Sequence, residues 1–106
     1  MRRFSQADEG KNMRAIWNGV VIAESDKTVV VEGNHYFPPD SVAWDLLEAS
    51  ETRSTCPWKG KALYWSVSEA GRPGQDVAWS YPDPSAAARQ IAGHVAFWHG
   101  VTVDAS

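Results

Sequence analysis

The chain has 106 residues, six of them tryptophan, with 43% hydrophobic and 22% charged side chains, a length and mix that suit one packed core and exclude a disordered polar chain. Ten basic against thirteen acidic residues leave a net charge of -3, so there is no electrostatic footprint for a phosphate backbone and nucleic acid is not an expected partner. The single cysteine excludes an intramolecular disulfide, which makes the reducing cytoplasm the expected setting.

Residues 1–12 read as a polar leader, because Arg2 and Arg3 are followed by no apolar segment. No run in the sequence reaches the length of a membrane-spanning helix, so a membrane is not an expected partner either. The β-rich domain is expected over residues 13–106. From Arg14 onward, short β-branched and aromatic runs are separated by turn residues, the pattern of an all-β domain. In RAIWNGVVIAES, Asn18-Gly19 supplies the two positive-φ positions of a type I′ turn, pairing Ala15 to Trp17 with Val20 to Glu24. SDK then turns the chain into TVVVEGNHYFPPD, where Gly33 and Asn34 mark a bulge or second turn and Pro38-Pro39 ends the strand.

DSVAWDLLEAS carries an apolar stripe too short for more than one helical turn, and the polar SETRST leads into TCPWKG. KALYWSV and DVAWSYP form a hairpin across the loop SEAGRPGQ, with Leu63, Trp65 and Val67 on one face of the first strand and Val77, Trp79 and Tyr81 on one face of the second. Asp83 as N-cap and Pro84 at the first helical position predict one short α-helix through SAAARQIA, stopped by Gly93, with Ala87 and Ile91 toward the sheet. HVAFWHGVTVD closes the domain as one more strand, Val95 and Phe97 on one face and Trp98 on the other.

If the strand runs on through VEGNHYF, the period of two puts Glu32, Asn34 and Tyr36 side by side: a carboxylate, an amide and a phenol. The plain alternative is the wet side of a half-exposed sheet. Cys56 has Arg53, Lys59 and Lys61 near it in sequence, and cationic neighbours favour a thiolate. Against a catalytic thiol stand the usual burial of free cysteine and the distance in sequence of His35, His94 and His99. One cysteine and three scattered histidines do not make a zinc pattern, so no metal is expected. Among the tryptophans, Trp65 and Trp79 have core parity, whereas Trp17 and Trp58 sit beside turns and suit a cleft wall. With Tyr36, Tyr64 and Lys59 such a wall fits a small anionic or planar molecule.

The runs WNGVVIAES, VEGNHYFPPDSV, TCPWKGKALYWSV and AWSYPDPSAAARQIAGHVAFW resemble, in order and spacing, the bacterial family known as domain of unknown function 427, over about Met13 to Asp104. The resemblance implies a mainly β, tent-like antiparallel fold similar to the Mss-four fold. That fold elsewhere holds zinc through paired cysteines, which this chain lacks. The family also carries a nucleotidyltransferase label. Glu24 and Asp26 have the spacing of that chemistry's metal-binding carboxylates, but no Gly-Ser turn precedes them, no GxxxxGKS loop is present, and Asp83 would oppose an anion at the helix start.

Glu32, Asn34, Tyr36, Cys56, Trp58, Lys59 and Tyr64 all fall inside the family's two most characteristic motifs. The expected function is a small-molecule pocket formed by EGNHYF and CPWKG. In it Glu32 is a general base or ligand-orienting acceptor, Cys56 a wall residue or the second catalytic candidate, and Lys59 the anion contact, with Asn34, Tyr36, Trp58 and Tyr64 also binding ligand. Nucleotidyl transfer, as the family label suggests, is one alternative; a protein-interaction module using Trp17 or Trp98 is the other. No cofactor, ligand identity or oligomeric state follows from the residues.

Overall fold

The computed structural model describes residues 11–68 and 74–106, so the leader up to residue 10 and the part of the SEAGRPGQ loop at 69–73 lie outside the described residues. The chain is mainly β, with strands β1 (Met13–Trp17), β2 (Val20–Ser25), β3 (Val29–Val31), β4 (Asn34–Tyr36), β5 (Leu47–Cys56), β6 (Gly60–Val67), β7 (Gly74–Ser80), β8 (Val95–Phe97) and β9 (Thr102–Ala105). They form three antiparallel sheets, ordered β2-β1-β9, β3-β4 and β5-β6-β7-β8. The small β3-β4 hairpin is tied to the large sheet where Phe37 and Val95 exchange both backbone hydrogen bonds, at 2.7 and 2.9 Å.

Asn18 (φ 50°) and Gly19 (φ 86°) make the first hairpin turn, as their sequence dictates. The second turn falls one residue earlier than Gly33-Asn34: Glu32 (φ 54°) and Gly33 (φ 81°) are its two left-handed residues. The strand therefore does not run on through EGN. The row of Glu32, Asn34 and Tyr36 on one sheet face is broken, with Glu32 at a hairpin tip, Asn34 opposite Val31 and Tyr36 fully buried.

Four further elements differ from their sequence pattern. SETRST is not a connection but part of the ten-residue edge strand β5, whose exposed Glu48, Glu51, Thr52 and Arg53 carry no apolar alternation to announce it. HVAFWHGVTVD is two strands, split at His99 (φ 51°) and Gly100 (φ 99°), and the second joins β1 in a different sheet. The SAAARQIA segment forms as two short 3-10 turns over Ala86–Ile91, kinked at Ala88 (φ -117°, ψ 19°), rather than an α-helix, with Ser85 and not Asp83 at the N-cap. The kinked segment puts Ala88 and Ile91 in the core and leaves Ala87 exposed. DSVAWDLLEAS carries not one helical turn but two short 3-10 turns, Pro39–Ser41 at its start and Trp44–Leu46, and its last four residues begin β5. Among the described residues no helix is long and apolar enough to cross a membrane.

The large sheet separates two apolar clusters. One, between it and the β1 sheet, holds Met13, Trp17, Ile22, Phe37, Val67, Val77, Ala78, Val95 and Phe97. The other, under the Ala86–Ile91 turn, holds Tyr36, Ala62, Trp79, Tyr81, Ala88, Ile91 and Ala96, with Cys56 and Tyr64 packed against it. Val77 and Trp79 thus belong to different clusters. The parity breaks at Asp76, a left-handed residue (φ 52°) beside the register shift between β6 and β7. Asp76 is pinned there: its N–H donates to Ser66 Oγ (3.0 Å), its carbonyl accepts from Trp98 Nε1 (2.6 Å) and its Oδ2 accepts from Thr52 Oγ1 (2.6 Å). Trp17 is a core residue, 7% exposed, and not a cleft wall. Its ring runs so close to Gly74 and Gly100 that an added Cβ would lie 2.7 and 3.0 Å from it.

Candidate functional site

CPWKG forms the tight turn joining β5 to β6, closed by the Cys56–Gly60 pair. Gly60 takes φ 117°, a conformation side chains disfavour, and packs against the backbone of Asp83 and Pro84. Ser85 fastens the turn from the other side. Its N–H donates to the Lys59 carbonyl (3.0 Å) and its hydroxyl to the Trp58 carbonyl. YPDPS thereby fixes the direction in which the Trp58 and Lys59 side chains leave the turn.

Lys59 points inward. Its side chain is only 7% exposed, and its Nζ stands 5.3 Å from the ring centroids of both Trp58 and Tyr81. Rings at that distance attract a cation through their negative faces. The charge is met by Glu32 from the tip of the β3-β4 hairpin: Oε1 accepts from Lys59 Nζ, and Oε2 accepts from Trp58 Nε1 at 3.2 Å. One carboxylate thus takes a hydrogen bond from each of two adjacent residues of the turn. Its own side chain remains 51% exposed, so one side of the contact faces water.

Beneath this contact Tyr36 OH accepts from Trp79 Nε1 at 3.2 Å, and the two rings meet edge to face, 6.1 Å apart. The electrostatics follow from the arrangement. Hydrogen bonds from Lys59 and Trp58 hold the Glu32 carboxyl below its ordinary pKa. Burial alone would lower the Lys59 pKa, but the hydrogen bond to the Glu32 carboxylate, joined at alkaline pH by the negative charge that Tyr36 and Tyr81 gain on ionising, holds it above its ordinary value. Burial pushes the phenols of Tyr36 and Tyr81 up, with the nearby Lys59 charge opposing the rise. Lys59 is thus charged and Tyr36 and Tyr81 neutral at physiological pH.

Of the seven residues singled out in the sequence, Glu32, Trp58 and Lys59 are in direct contact. Tyr36 and Cys56 lie on the buried side, in or against the second apolar cluster. Tyr64 stands further along β6, its hydroxyl 2.8 Å from Ser54 Oγ and its ring stacked on Trp98 at 6.5 Å. Asn34 is half-buried in the hairpin opposite Val31. Sequence reasoning missed Tyr81, whose ring forms the second wall around Lys59, and Ser85, which anchors the turn. The signal was the YPDPS motif itself, whose tyrosine read only as sheet core.

A cleft of about 480 Å³ opens next to the turn, lined by Gly60, Lys61, Leu63, Pro82 and Asp83. Lys61 and Leu63 alternate along β6 with Ala62 and Tyr64, which pack on the second cluster, so the cleft lies on the other face of the strand. The two motifs therefore meet in an ion-pair cage at the surface, and the cleft is its neighbour. Among the described residues no group of three His, Cys, Asp or Glu side chains could hold a metal ion. Glu24 accepts from Asn12 Nδ2 at 2.6 Å, and Asp26 is exposed in the bend after β2.

In this β-rich chain the EGNHYF and CPWKG motifs thus meet through one carboxylate, one ammonium and one indole. Its sequence matches the model of the family described as domain of unknown function DUF427 over residues 6–106, and the chain belongs to that family. Comparison with curated proteins finds no match.

Proposed function

We propose that the domain binds a small anionic or planar molecule at the turn carrying Trp58 and Lys59. One observation carries this reading: an ammonium buried between two aromatic rings is neutralised by a single carboxylate that is itself half in water. Burying a cation costs several kcal/mol, which a purely structural role does not require of a surface turn. Trp58 is 41% exposed, so its ring is a stacking surface at the edge of the same charge. Lys59 is the anion contact, Trp58 the platform, and Tyr36, Tyr81 and Cys56 the packed floor that keeps the ammonium dry. Tyr64 packs against the same apolar cluster further along β6, and Asn34 stays in the hairpin opposite Val31. In the same reading the domain acts in the reducing cytoplasm of a bacterium, where Cys56 stays a free thiol.

Thermal unfolding in the presence of acetate, benzoate, inorganic phosphate and the four nucleoside triphosphates tests this. At least one of these anions raises the unfolding temperature of the parent, and Lys59→Met removes that rise. Equal shifts in parent and Lys59→Met would refute the assignment. Including the triphosphates with magnesium also tests the family's nucleotidyltransferase label, since transfer releases pyrophosphate.

A further inference from the structure

Glu32 occupies the hairpin tip at φ 54°, a position where Asn, Asp or Gly is conformationally favoured and a longer side chain is strained. Left-handed non-glycine residues of this kind persist where something else fixes them, and they gather at ligand clamps and switches. Here the fixing contact is the carboxylate itself, one oxygen on Lys59 Nζ and the other on Trp58 Nε1. We infer that Glu32 is a built-in occupant of a carboxylate-binding site, and that the ligand is a molecule whose own carboxylate displaces it from Lys59 and Trp58. The inference rests on the reading of Lys59 as an anion contact.

Three observations support displacement. The two donors are adjacent in sequence on a turn whose backbone is anchored by Ser85, independently of Glu32. The Glu32 side chain is 51% exposed against 7% for Lys59, so its place is the solvent route to the ammonium. The tip is light: β3 and β4 are three residues each, and an added Cβ at Gly33 would meet nothing within 4 Å. Withdrawal of the carboxylate breaks no backbone ladder of the large sheet and leaves Lys59 beside the buried ring of Tyr81. A planar body attached to the incoming carboxylate has the exposed face of Trp58 beside it.

An internal occupant lowers the apparent affinity in proportion to how seldom it is absent. A contact closed about nine-tenths of the time masks the site about tenfold. The test titrates benzoate, acetate and inorganic phosphate into the parent, Glu32→Ala and the Glu32→Ala/Lys59→Met double variant, following the Trp58 indole N–H resonance by NMR. Glu32→Gly, which suits the left-handed turn, is measured alongside in case Glu32→Ala disturbs the hairpin. The expected result is benzoate binding about tenfold or more tighter in Glu32→Ala and Glu32→Gly than in the parent, weaker binding of phosphate, and no binding once Lys59 is also changed. Benzoate binding that depends on Lys59 but is no tighter without Glu32 would overturn the displacement and leave the anion contact standing. Tighter binding of phosphate than of benzoate would overturn the carboxylate assignment. Silence toward every anion in all variants would overturn both this inference and the function it rests on.

Discussion

Removing either partner of the Glu32–Lys59 pair should have unequal consequences, because burial is unequal: 51% of the Glu32 side chain is exposed and 7% of Lys59. Lys59→Met removes an ammonium whose burial costs several kcal/mol. It also removes two cation–π contacts, worth about 0.5–2 kcal/mol each, and substitutes a thioether that packs well on aromatic rings, a contact worth about 0.3–1.5 kcal/mol. Glu32, left behind, is simply hydrated. These opposing contributions are of the same size, so the net change should lie within about 1 kcal/mol of zero. Glu32→Gln does the reverse and leaves the ammonium buried with only an amide oxygen to accept from it. It should therefore destabilise more than Lys59→Met, and the double variant should recover what Glu32→Gln alone loses.

Urea unfolding at pH 7 of the parent, both single variants and the double variant measures the whole cycle, with a change of 1 kcal/mol appearing as about 4–8 °C in a parallel thermal scan. The alkaline limb gives a second reading. The Lys59 pKa is raised on folding, so the stability carried by its charge is fully present below the unfolded value of about 10.4 and is lost as pH rises through the higher folded value. The parent should lose stability relative to Lys59→Met above that pH. A neutral Glu32→Gln combined with a strongly destabilised Lys59→Met would refute the reasoning, since it would make the lysine a packing residue whose charge is incidental.

Other variants probe the scaffold. Tyr36→Phe removes the acceptor of a buried Trp79 indole N–H and should cost about 1–3 kcal/mol in urea unfolding; no loss would mean that the N–H finds another acceptor. Gly74→Ala places a Cβ 2.7 Å from Trp17 Cη2 and 2.9 Å from Val77 Cγ1, both in the core, and should destabilise by about 1–3 kcal/mol; a variant as stable as the parent would show that Trp17 can shift. Hydrogen bonds from Ser50 and Thr52 hold the Asp76 carboxyl below its ordinary pKa, so its contribution is present above about pH 4 and is lost as pH falls through the depressed folded value. Asp76→Asn keeps a residue that tolerates the left-handed backbone and should flatten the fall in urea midpoint between pH 5 and pH 2. An unchanged acid profile would discharge Asp76 from that role.

Legibility in the sequence followed locality. Asn18-Gly19 fixes its turn by backbone preference alone, and β1 and β2 fall where that turn puts them. β5 was hidden because it is an edge strand with few buried side chains, held by its partner β6 rather than by an alternating face. The α-helix signal of Pro84 and the alanines was overridden by packing. Ala88 and Ile91 both reach the second cluster from a segment six residues long, and two 3-10 turns kinked at Ala88 do that. At the site, EGNHYF and CPWKG are separately visible in the sequence, but the period of two points to a flat strand face where the fold has a hairpin tip that delivers a single carboxylate. Tyr81 was legible only as core because its hydroxyl-bearing ring has that second use, as a wall for a cation that arrives from 22 residues earlier in the chain.

That hairpin tip also explains why a glutamate stands where the backbone prefers a smaller residue. A two-residue turn with both φ angles positive is satisfied by Asn-Gly, and the chain uses that pair at residues 18 and 19. At residues 32 and 33 it uses Glu-Gly instead, and accepts a strained φ of 54°. Hairpin formation alone gives no reason for the difference, since both turns join short antiparallel strands. The difference lies in reach. Asn18 is exposed with its hairpin complete, whereas the longer Glu32 side chain spans to a turn 26 and 27 residues away and neutralises the ammonium there. The local preference and the tertiary contact conflict at Glu32, and the contact with Lys59 and Trp58 prevails.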